Sequence, residues 1–187
     1  MRRATTLRAA AFAVGIALIG TGQAGIGRAA ARERANTFSG DCDVSGTAVF
    51  DPPLTNTAQA GTQRVQATGT CSGTFTARNG QAHHLNDTPV SWQTTEYTPD
   101  ASCSAETDSG SGQVTFQYGT IRFTISEARV APVAAFTLKG TEGGSATGEA
   151  NISPSADPVA ITQACGGPGL IEAPSDIQAT TTPSISG

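Results

Sequence analysis

From residue 42 onward, apolar positions recur at every second residue, and no window of ten or more residues shows helical spacing. A period of two is that of a strand with one buried face. In residues 42–50, Cys42, Val44, Gly46, Ala48 and Phe50 share a face, while Asp43, Ser45 and Thr47 take the other. Asp51-Pro52-Pro53 ends this strand, because proline has no N–H to give to a ladder. In residues 64–76, Val65, Ala67, Gly69, Cys71, Gly73 and Phe75 alternate with Arg64, Gln66, Thr68, Thr70, Ser72 and Thr74. After the turn signal Arg78-Asn79-Gly80, the pattern predicts a short strand over 81–85 and a longer one over 90–97. Residues 99–110 read as a polar, acidic loop. Residues 114–118 and 121–125 form a hairpin about a Gly119-Thr120 turn, which pairs Tyr118 with Ile121, Phe116 with Phe123 and Val114 with Ile125. Further strands are expected at 133–139, 145–152, 159–164 and 177–181.

The cysteines fix one register. Opposing Cys42 and Cys71 in a hairpin sets Val44 against Gly69, Gly46 against Ala67, Ala48 against Val65 and Phe50 against Gln63. The apolar positions then face one another throughout, so one register satisfies both the pattern and a crosslink. Four cysteines allow three pairings, and sequence alone does not decide among them; this register favours Cys42–Cys71, with Cys103–Cys165 by elimination. Closing loops of about 30 and about 63 residues contributes roughly 3.6 and 4.3 kcal/mol in the chain-entropy account.

The chain begins differently. Arg2, Arg3 and Arg8 precede an apolar run over residues 9–20, and small residues follow at Gly22-Gln23-Ala24 and Ala29-Ala30-Ala31. A basic start, a short apolar middle and a small-residue exit read as an export signal. We expect a signal peptide over 1–31 (with Ala24 as the other cleavage point), a loose leader over 32–40, one β domain over 41–182 and a loose tail over 183–187. The run is too short to remain as a membrane anchor. Losing Arg2, Arg3, Arg8 and Arg28 leaves seven of the eleven basic residues against fifteen acidic ones. Such a chain repels phosphate backbones, and no basic patch argues for nucleic acid. Oxidised cysteines fit an exported, extracellular protein.

Candidate chemistry is sparse. His83 and His84 are neighbours, so on a strand they point apart and serve one metal ion poorly. No G-x-S-x-G elbow occurs. Asp41, Asp43 and Asp51 form one loose acidic group; Asp100, Glu106 and Asp108 form another around Cys103. Each would suit calcium or a glycosidase acid pair, yet neither has a matching motif, and a solvated acidic loop is the expectation. Trp92, Tyr97 and Tyr118 are the candidate ligand-stacking side chains, with Trp92 and Tyr97 on opposite faces of one strand. No catalytic residue, metal ligand or cofactor motif is assigned.

An Arg-led signal, an acidic body rich in Thr, Gly and Ala, and four cysteines together resemble the small secreted β-proteins of actinobacteria. Neocarzinostatin-like chromophore-binding proteins are also secreted and acidic with two bridges, but their bridges close short loops, whereas the spacings here are 29, 32 and 62. The expected fold is all-β: an antiparallel meander of about eight strands closing as a small barrel or a two-sheet sandwich, with two disulfides. The expected function is a secreted non-catalytic module binding a small ligand, a glycan or an envelope partner. The alternatives are a secreted hydrolase with paired carboxylates and a structural, surface-associated protein.

Overall fold

A computed structural model describes residues 34–187; the expected signal peptide lies outside them. Eight antiparallel strands follow one another around a closed barrel. They are β1 (Thr37–Leu54), β2 (Gln59–Thr76), β3 (Ala82–Ala101), β4 (Ala105–Phe116), β5 (Gly119–Val130), β6 (Val133–Gly140), β7 (Gly143–Ile152) and β8 (Leu170–Ser186). A helix, α1 (Pro158–Gly166), lies between β7 and β8. Closure comes from β1 pairing with β8 as well as β2. The closing seam includes Thr37↔Ser186 and Phe38↔Ile185, so residues expected in a leader and a tail are strand.

The β1–β2 register runs as the cysteines require, from Cys42↔Cys71 through Val44↔Gly69 and Ala48↔Val65 to Phe50↔Gln63. The disulfides are Cys42–Cys71 and Cys103–Cys165. Eight strands leave an interior just wide enough for side chains or one small ligand. One end of that interior is filled by aromatic rings: Phe116 lies 5.0 Å from both Phe38 and Phe75. Trp92 packs further along, 5.1 Å from Phe123 and 6.1 Å from Phe136.

Several expectations are corrected. The stretches over 81–85 and 90–97 are one strand, β3, with an irregularity where Asp87 takes φ 46° and its N–H donates to Ser72 Oγ. Residues 99–110 are not a loop: β3 continues to Ala101 and β4 starts at Ala105. The β4–β5 turn sits on Gln117-Tyr118, so Phe116 pairs with Gly119, Val114 with Ile121 and Phe123 with Gly112. This shift is even, so the inward-facing set is unchanged. It sets a large ring opposite a residue with none: a Cβ on Gly112 would come within 2.7 Å of the Phe123 ring. Residues 159–164 are helical, not extended. Asp157 caps α1 by accepting from the N–H groups of Val159 (2.9 Å) and Ala160 (3.3 Å), and Pro158 opens its first turn. The cap and a pre-set φ overrule the β preference of Val159, Ile161 and Thr162.

Candidate functional site

The end of the barrel away from the three phenylalanines has a polar interior. Alternation carries it there strand by strand. On β3 the inward series Val90, Trp92 continues as Thr94, Glu96 and Thr98, all buried. On β4 the series Phe116, Val114 runs back through Gly112 and Gly110 to Asp108 and Glu106, both buried. On β5, Ile121, Phe123 and Ile125 lead to Glu127 and Arg129. Register then brings these groups together. Asp108 is directly opposite Glu127, Glu106 is opposite Arg129, and Glu96 lies between Gln63 on one side and Gly110 on the other. Gly110 is needed there, since a Cβ would come within 2.9 Å of Glu96 Cγ.

The charges divide into two groups. Glu106 forms an ion pair with Arg129 Nε, and Arg129 also donates to the carbonyls of Ser102 (2.9 Å) and Cys103 (3.3 Å). Its guanidinium is thereby occupied. Glu96, Asp108 and Glu127 form the second group, each offering a carboxylate oxygen within 4.8 Å of the others. Thr94 Oγ1 donates to Glu96 Oε1 at 2.6 Å. Glu96 Oε2 and both Asp108 oxygens are buried without a donor among the described residues, provided all three carboxyls are ionised.

They do not all ionise readily. Burial raises the Asp108 carboxyl to about 10, helped by the charges of Glu96 and Glu127. Burial also lifts Glu127 to about 8, with Glu96 and Glu106 adding to the rise while Arg129 and Gln63 oppose it. Glu96 is raised by burial, partly offset by Thr94 and Asp108. A protonated Asp108 becomes a donor to Glu96, which gives Glu96 Oε2 a partner but leaves the second Asp108 oxygen without a donor: near neutral pH the group is a proton-sharing cluster.

The cluster borders a cavity. Glu96, Glu127 and Arg129 form its polar side; Phe50, Val65, Trp92, Ile125, Phe136 and Ile177 form much of its apolar wall. It has about 60 Å³ of room for the centres of water molecules, enough for roughly 4–6 waters or a few ligand atoms. It extends toward the barrel end built from Pro132, Ile152, Leu170 and Pro174. The Cys103–Cys165 bridge ties the β3–β4 connection to α1.

Of the sequence-derived candidates, Trp92, Glu106 and Asp108 belong to this site and the others lie elsewhere. Trp92 is inside the barrel on the cavity wall. Tyr97 is on the outer face, 55 % exposed. Tyr118 is in the β4–β5 turn at the far end, its ring stacked on His83 at 3.7 Å. The three form no common platform. His84 is exposed while His83 is half-buried on β3. Asp41, Asp43, Asp51 and Asp100 are exposed, but Glu106 and Asp108 are corrected from a solvated loop to the barrel interior. Glu96, Glu127 and Arg129 escaped the sequence reading. Their signal was the inward parity of Trp92, Val114 and Ile125 carried past the last apolar residue.

No protein-family description, curated protein or solved structure matched this chain.

Proposed function

We propose that this is an exported bacterial protein that encloses a small, mainly apolar guest inside its barrel, with a hydrogen-bond-donating end of the guest against Glu96 and Glu127. The observation that carries this reading is the cavity itself: an apolar wall with two buried carboxyls on one side. Apolar pockets with a few convergent polar groups are where small ligands bind. Two disulfides support an oxidising compartment, and the Arg-led apolar N-terminus supports export. The paired-carboxylate hydrolase is disfavoured by burial. Glycosidase carboxyls flank a cleft that admits the sugar between them, whereas Glu96, Asp108 and Glu127 are all buried inside the barrel.

The test uses the emission of Trp92, the single tryptophan, during titration with hexanol and with hexanoate. Hexanol should shift the emission saturably, and hexanoate should not, because its charge would be buried among carboxyls in a site that already disfavours a carboxylate. Native mass spectrometry of protein from its own culture medium should show a retained small molecule. An unchanged Trp92 spectrum with hexanol, together with a bare chain in the spectrometer, would refute the reading.

A further inference from the structure

We propose that Glu96, Asp108 and Glu127 form a binding site for one hard divalent cation of the calcium class. This goes beyond the guest-binding reading and stands or falls without it, because the three carboxyls converge, with Glu96 and Glu127 on the polar side of the cavity, whether or not its apolar part is filled.

Geometry comes first. Ca²⁺ binds oxygen at about 2.3–2.6 Å, so two of its ligands are at most about 4.6–5.2 Å apart. One oxygen from each of Glu96, Asp108 and Glu127 meets that limit, all within 4.8 Å of one another. The three residues come from three consecutive strands, β3, β4 and β5, so the ladder holds them in place rather than a loop.

Buried oxygens of the trio also lack donors. Glu96 and Asp108 are 2 % and 3 % exposed, and Oε2 of Glu96 and both oxygens of Asp108 have no donor among the described residues. The nearby protein cation does not supply one, since Arg129 is tied to Glu106, Ser102 and Cys103. Buried charges require a partner or a proton. The groups facing the trio are Gln63 from β2, Thr94 from β3, Glu106 from β4 and Arg129 from β5. The last two neutralise each other, so no protein cation is left to balance the trio.

Donor chemistry sets the class of ion. Three carboxylates with no nitrogen or sulfur ligand suit Ca²⁺, Mg²⁺ or Mn²⁺ rather than zinc or copper. Ca²⁺ tolerates irregular oxygen shells completed by water, and the cavity beside Glu96 and Glu127 has room for those waters. Thr94 holds one oxygen of Glu96, the kind of outer contact that orients a metal ligand.

The experiment takes the oxidised chain stripped with chelator and titrates it with Tb³⁺, a luminescent calcium substitute, exciting Trp92 on the wall of the same cavity. Sensitised emission should saturate at one ion per chain and be displaced by Ca²⁺. Ca²⁺ should raise the melting temperature. Asp108→Asn and Glu127→Gln should each weaken the ion by at least about 10-fold, the lower end of what losing a mere outer-shell partner costs, while Asp41→Asn/Asp43→Asn on the outer face should leave it unchanged. Two results would overturn the site. One is a wild-type protein with no Tb³⁺ emission and no Ca²⁺-dependent melting shift at about 10 mM, above the range of extracellular calcium modules. The other is unchanged affinity in folded Asp108→Asn, judged by circular dichroism. The wild-type result decides alone if the variants do not fold.

Discussion

Asp108 is an acid inside a barrel, and its environment dictates how it acts. Burial and two neighbouring carboxyls hold its proton to about 10, and Glu127 behaves likewise to about 8. Both groups bind protons more tightly folded than unfolded. Without a metal ion, their contribution to stability is therefore full below about pH 4 and is lost as pH rises toward 8 to 10. We expect chemical denaturation in chelator to show stability falling across that window; a flat or rising profile would contradict the assignment. Asp108→Asn supplies a neutral group of the same shape that still donates to Glu96. In chelator at pH 7 it should be more stable than wild type, read as a higher denaturant midpoint, while losing cation binding. Arg129 should behave oppositely. Arg129→Met leaves Glu106 buried and unpaired, and breaking such a pair costs roughly 3–5 kcal/mol, measurable as a lower denaturant midpoint.

Elements differ in how much of them could be read beforehand. β1 and β2 were legible because alternation and the cysteines agree on one register, and that register is the one found; the expected stop at Asp51-Pro52-Pro53 is corrected, since β1 runs through the prolines to Leu54. The β4–β5 pairing was not, because an even shift keeps Val114, Phe116, Phe123 and Ile125 inward and so leaves no trace in the pattern. α1 was hidden by its β-branched residues; Asp157 and Pro158 were the only signs of it. The site was hidden by the assumption that charged residues point outward. Glu96 follows Trp92 and Thr94 on one face, and Glu127 follows Ile125, so strict periodicity placed them inside while their charge argued otherwise. Gly110 shows how closely the strands are fitted around the cluster. Gly110→Ala should cost about 1–3 kcal/mol through overpacking, and it should weaken Tb³⁺ binding by displacing Glu96. A calorimetric scan and a titration on one preparation check both.

At the scale of the whole molecule, closure and crosslinks have different origins. Barrel and sandwich could not be separated beforehand because the deciding contact joins the two ends of the domain, Phe38 against Ile185, and no local pattern reports it. The bridges also differ in placement. Cys42–Cys71 joins two strands that the ladder already pairs, whereas Cys103–Cys165 ties α1 to the β3–β4 connection beside Arg129. Removing either should cost roughly 2–5 kcal/mol. Only Cys103→Ser/Cys165→Ser should also speed amide exchange at Glu106 and Arg129; equal exchange in both double mutants would contradict this division. The account rests on an acidic interior that holds protons at neutral pH. Carbon-13 NMR of the side-chain carboxyls, titrated in metal-free protein, tests that directly. Carboxyls of Glu96, Asp108 and Glu127 that titrate above the ordinary carboxylate range, with Asp108 above Glu127, are the expected result. Fifteen carboxyls all titrating near pH 4 would contradict it.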